Sequence, residues 1–125
     1  MRRKVNKDVV LSMDDPAIPE HTIEKGETLE ADHIVSMDRI AKMEGFDKLT
    51  REQQLEILNY EDNFVGLSKS ANASKGSKTY EEWTMYVKEG IPINPEFREK
   101  MIAREKEIEG IIQNMIDSYV KGNGG

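Results

Sequence analysis

Cysteine is absent from this 125-residue chain, so neither a disulfide framework nor a thiolate-bound structural zinc can brace its fold. That absence suits a reducing cytosol, and equally a domain that unfolds and refolds while crossing a membrane. No apolar run approaches the roughly 20 residues a spanning helix needs, and no secretory h-region stands at the start, so a soluble chain is expected. Basic residues are in deficit: 18 Lys and Arg stand against 24 Asp and Glu, for a net charge of −6. Because affinity for phosphate backbones comes mainly from Lys and Arg, tight static binding to nucleic acid is excluded. Internal repeats and low-complexity blocks are missing too. What is present, 37% hydrophobic and 34% charged residues, fits one domain with a modest core.

The charge is unevenly placed. Arg2, Arg3, Lys4 and Lys7 make the first seven residues basic, residues 8–62 hold 15 acidic against 5 basic side chains, and residues 63–93 hold four lysines against three glutamates. The segment 63–93 is therefore the least acidic part of the folded body. A bound divalent cation would add positive charge there.

Local patterns divide the chain into short elements. Residues 1–25 read as an irregular arm, because Asp14-Asp15-Pro16 and Ile18-Pro19 interrupt regular structure. After Gly26, Thr28 to Val35 ends in β-formers and reads as a first strand with His33 near its end. Met37 to Met43 reads as a short helix closed by Gly45. Thr50-Arg51-Glu52-Gln53 is a capping box opening a helix over 51–58, with Leu55 and Leu58 facing in. Phe64 to Leu67 forms a second strand, Ser68 caps the helix carrying Asn72, and Gly76-Ser77 ends it. Thr79-Tyr80-Glu81-Glu82 repeats the capping box and predicts another helix, burying Trp83, Tyr86 and Val87 before Gly90. Asn94-Pro95, a cap followed by Pro at the first helical position, opens a long helix toward Tyr119. Its Phe97, Met101, Ile108, Ile111, Ile112, Met115, Ile116 and Tyr119 fall largely on one face, which reads as core, a partner surface being the alternative. Residues 26–120 form the domain, of α+β class, and 121–125 a flexible tail.

Chemistry concentrates in Asp32-His33-Ile34-Val35 and in the segment from Asn63 to Gly76. A histidine beside a carboxylate puts a proton acceptor next to a hard oxygen ligand, and two asparagines add an orienting amide and a further neutral oxygen ligand. The combination reads as metal-assisted phosphodiester hydrolysis. Taken alone, Asp32-His33 is a surface strand pair and Asn63 after Glu61-Asp62 is turn chemistry; the register between the two segments favours a site. Asn72 is unfavourable inside a helix because its side chain competes for backbone groups, which favours a ligand role. Lys69, Lys75 and Lys78 are spaced to line a phosphate path, with a solvated face as the alternative. His21 has no partner pattern and reads as structural.

On these residues the chain resembles the HNH (His-Me finger, ββα-metal) endonuclease family. The nine-residue step from Asn63 to Asn72, with Leu67 between and Lys75-Gly76 after, is especially similar to the HNH domain of RNA-guided CRISPR effectors, where the second ligand is also Asn. The resemblance implies a ββα-metal core wrapped by additional helices, with Asp32 and Asn72 as metal ligands, His33 as general base and Asn63 as the residue orienting that base. The long connection from His33 to Asn63 would carry helices of its own. A divalent ion is implied, Mg²⁺ first, with Mn²⁺, Ni²⁺ or Zn²⁺ as alternatives, and DNA is the implied substrate. Less specifically, the chain resembles HNH toxin domains at the C-termini of bacterial polymorphic and contact-dependent inhibition toxins. That implies an effector acting in the bacterial cytoplasm after delivery as the end of a secreted toxin, with an immunity protein as partner. Two further readings stand beside it, a phage or mobile-element HNH nickase and a catalytically inert ββα binding domain.

Overall fold

Residues 30–33 and 64–67 pair as the longest strands among the described residues, with helices between and after them. The computed structural model describes residues 12–124, so Arg2, Arg3, Lys4 and Lys7 lie outside the described residues, as does the last residue of the tail. β1 (Met13–Asp14) pairs with β2 (Thr22–Ile23), β3 (Glu30–His33) with β4 (Phe64–Leu67), and β5 (Met85–Tyr86) with β6 (Ile91–Pro92), all antiparallel and in separate sheets. The helices are α1 (Met37–Ala41), α2 (Arg51–Leu58), α3 (Lys69–Lys75) and α4 (Pro95–Gly122). The class is α+β.

Side chains set the helix starts. The Thr50 hydroxyl accepts from Gln53 N while the Gln53 amide accepts from Thr50 N, completing the capping box of α2. Ser68 Oγ accepts from Ala71 N to cap α3, and Asn94 Oδ1 accepts from the amides of Glu96 and Phe97 ahead of the Pro95 start of α4. At 28 residues α4 is about 42 Å long. It crosses two apolar clusters. Met101 joins Ile18, Ile34, Leu67, Tyr80 and Trp83, whereas Ile108, Ile112 and Ile116 join Val35, Ile40, Phe46 and Ile57. Gly45, at φ +88°, lets the chain turn where a methyl would come within 3.1 Å of Ile116 and Val120.

Four expectations change. No helix follows Thr79. The capping box is formed in both directions, but it closes one turn only, because the carbonyls of Tyr80 and Glu81 accept from the Arg98 guanidinium instead of from amides a turn ahead. The chain passes into the β5–β6 hairpin, which turns at Gly90 (φ +65°); Trp83 and Tyr86 are buried as expected, while Val87 is 80% exposed. In α2 Ile57 is buried and Leu58 packs against the same cluster, whereas Leu55 is 46% exposed. α4 continues through Lys121 to Gly122, into the expected tail. The described part of the arm, 12–25, is packed into the body. Asp15 Oδ1 accepts from the amides of Ala17 and Ile18, both fully buried, Asp15 Oδ2 accepts from Ser68 Oγ at 2.5 Å, and the Ala17 carbonyl accepts from Asn94 N. Residue 15 thereby ties this segment to the start of α3, and residue 17 ties it to the start of α4.

Candidate active site

The β3–β4 register sets Asp32 opposite Val65 and His33 opposite Phe64, and α3 follows β4 and packs back on both strands. Just past His33 the chain would separate from its partner strand. Asn63 prevents that. Its backbone carbonyl accepts from Ile34 N (2.8 Å), its Oδ1 from Val35 N (2.8 Å), and its Nδ2 donates to the Val35 carbonyl (2.9 Å). The side chain is fully buried and both ends of the amide are satisfied. These bonds correct the expected contact. Asn63 does not hold the imidazole through its amide; it fixes the backbone that carries it.

The imidazole is oriented by another group. His33 Nε2 lies 3.0 Å from the Leu58 carbonyl, at the end of α2, and the ring packs on Phe64 at 4.3 Å between centroids. A carbonyl can only accept, so Nε2 carries the proton and the Nδ1 lone pair is the available base. The side chain is half-buried, enough to be held and open enough to reach a bound molecule.

Asp32, the strand neighbour of His33, is buried beneath α3 and the 77–81 loop. Its Oδ2 meets Lys75 Nζ at 3.1 Å and accepts a long hydrogen bond from the Tyr80 hydroxyl at 3.4 Å. Lys75 is only 3% exposed, and its ammonium also stands 4.7 Å from the centre of the Tyr80 ring. Burial pushes the Asp32 carboxyl above the usual carboxylate range, with Lys75 pulling it back. Burial, then the Asp32 carboxylate, pushes the Tyr80 phenol up, so it stays a donor. Behind them the Tyr80 amide donates to Glu105 Oε2 at 3.1 Å, and burial raises the Glu105 carboxyl as well.

Of the three lysines expected along a phosphate path, Lys75 is therefore not on the surface. Lys69 and Lys78 are, and with Ser70, Ser74 and Lys88 they line a shallow depression of about 530 Å³ outside α3. Asn72 is half-buried on α3, one turn before Lys75, whose ammonium meets Asp32. His21 pairs with Glu89 at 2.8 Å and packs edge-on against Tyr86, a structural setting. Lys88, Tyr80, Glu105 and the Leu58 carbonyl were not singled out in the sequence. Of these only Glu105 left a signal there, a charge inside the α4 stripe between Met101 and Ile108.

Among the described residues no three His, Asp or Glu side chains converge as a metal-binding group. The donor set at hand is one carboxylate, Asp32, and one amide, Asn72. Both are hard oxygen donors, which suit Mg²⁺ or Mn²⁺ with water completing the shell, and the carboxylate is already held against a positive charge. No described helix is long and apolar enough to cross a membrane. The chain matches no protein-family model, no curated protein and no solved structure.

Proposed function

We propose that this chain is a metal-dependent endonuclease of the HNH type, hydrolysing DNA phosphodiester bonds on a ββα-metal core that the remaining helices surround. The observation that carries the reading is the join at the end of β3. An asparagine at the entry to β4 clamps the backbone just after an Asp-His pair, and the following helix packs on the same two strands.

In this reading His33 Nδ1 takes the proton from the attacking water, while the Leu58 carbonyl keeps Nε2 protonated and the ring aimed. Asn63 holds the strand end rigid so that the base does not drift during attack. Asp32 and Asn72 would hold the divalent ion, which when bound supplies charge stabilisation to the phosphorane-like transition state and the leaving 3′-oxygen. Lys69, Lys78 and Lys88 offer weak phosphate contacts outside α3. Such a site suits brief engagement of DNA better than static binding, in keeping with the net charge of −6.

The test is plasmid nicking with Mg²⁺, Mn²⁺, Ni²⁺ and EDTA. Cleavage with metal and none with EDTA is expected; intact plasmid under every metal would defeat the reading and favour an inert domain. A toxin role adds one consequence, that cells tolerate expression of the His33→Ala protein better than that of the parent.

A further inference from the structure

We propose that the Lys75 ammonium is a built-in stand-in for the metal, holding Asp32 while the site is metal-free and yielding the carboxylate when a divalent cation binds. The inference rests on the reading of Asp32 as a ligand. It concerns what occupies that ligand beforehand.

A buried lysine is unusual and needs a partner. Lys75 has Asp32 Oδ2 at 3.1 Å and the face of Tyr80 at 4.7 Å, with its side chain 4% exposed. Both contacts on Oδ2 come from hydrogen-bond donors, the ammonium and the Tyr80 hydroxyl, so the surroundings present positive charge to this oxygen. A divalent ion bound to the same carboxylate would sit roughly 2.0–2.6 Å from its oxygen. Two cations cannot share that space without strong repulsion.

The ammonium has somewhere to go. Glu105, the next carboxylate, is buried beyond Tyr80 and borders a cavity of about 200 Å³ at whose edge Ser77 and Thr79 also lie. A lysine stem has four rotatable carbons, so its head can move from Asp32 toward Glu105 while its backbone stays in α3. With the ammonium on Asp32, two buried carboxylates share one cation. With a divalent ion on Asp32 and Lys75 turned toward Glu105, both carboxylates are paired and the cluster gains the positive charge that a phosphate needs. The consequence is a site that stays folded without metal and binds it more weakly than its ligands alone would.

Calorimetry with Mn²⁺ on the full chain, as the parent and as Lys75→Met and Lys75→Gln, tests this. Both variants are expected to bind Mn²⁺ at least about tenfold more tightly than the parent, because two unit charges about 4 Å apart repel strongly even at an effective dielectric of about 20. Equal or weaker Mn²⁺ affinity in the variants overturns the proposal while leaving the metal site standing. No Mn²⁺ binding by any of the three proteins overturns both. Should the variants fail to fold, nitrogen-15 NMR of the lysine ammonium groups in the parent decides. Lys75 is expected to give a slowly exchanging signal that shifts or vanishes on saturation with Mg²⁺, and a signal indifferent to saturating Mg²⁺ contradicts the exchange.

Discussion

Two stretches of α4, barely a turn apart, serve opposite kinds of interior. Past Ile108 the helix packs Ile112 and Ile116 against Ile40, Phe46 and Ile57, with no buried charge among them. Before Ile108 it meets the cluster of Ile18, Tyr80 and Trp83, and there the protein buries Asp15, Asp32, Lys75 and Glu105. Burying charge is costly unless each group is paired, and among the described residues no buried side-chain polar atom lacks a partner. The apolar half can be read as stabilising the fold. The charged half holds a buried ion pair, Asp32 with Lys75, of a kind that well-packed apolar residues often replace without loss of stability, which is a reason to look for chemistry there.

The comparison breaks most readily at Asp32. Asp32→Ala takes away the carboxylate that holds the buried Lys75 ammonium, so urea unfolding is expected to show a loss of up to about 3–5 kcal/mol, smaller to the extent that Glu105 takes over the ammonium, and adding Lys75→Met to restore at least half of it. This matters for any metal-binding experiment, since the variant weakens the fold as well as removing a ligand. A loss under about 1 kcal/mol in Asp32→Ala and in Asp32→Ala with Glu105→Gln alike would mean the pair is not buried in solution.

In the apolar half Ile112→Ala is expected to cost about 2–4 kcal/mol, with no effect on metal affinity. Asn63→Ala, at the seam between the halves, would strand the Val35 N–H and carbonyl and cost about 2 kcal/mol in the same assay. The smallest effect belongs to Glu105. Burial raises its carboxyl, so folding favours the neutral form; that contribution is full below the ordinary carboxylate range and is lost as pH rises through the raised one. Glu105→Gln keeps an acceptor for Tyr80 N, and its stability relative to the parent is expected to improve slightly as pH rises. A relative stability that falls with rising pH would contradict the assignment.

Strands β3 and β4, the caps at Thr50, Ser68 and Asn94, and the inward stripe of α4 were legible because each depends on neighbours within a few residues. What escaped depends on distant partners. The capping box at Thr79 is real, yet Arg98, eighteen residues beyond Tyr80, takes the carbonyls that a longer helix would use. Asn63 was legible as a polar residue ahead of a strand, but its partner Val35 lies across the sheet. Lys75 read as one of three lysines along a phosphate path or on a solvated face, both of them exposed settings; only the approach of β3 and of the 77–81 loop encloses it. Of the two Leu of α2 that read as inward, Leu58 packs against the core beside Ile57 while Leu55 stays exposed, because the crossing of α4 sets which side of the short helix is covered.

The central claim, that His33 is the base of a metal-dependent phosphodiesterase site, is tested most directly by the cleavage rate of His33→Ala under saturating Mg²⁺ or Mn²⁺. The account predicts a fall of about 10²- to 10⁴-fold with metal affinity nearly unchanged, because Nδ1 acts in proton transfer and Nε2 only anchors the ring on Leu58. A His33→Ala protein that cuts DNA at the parental rate would contradict the account.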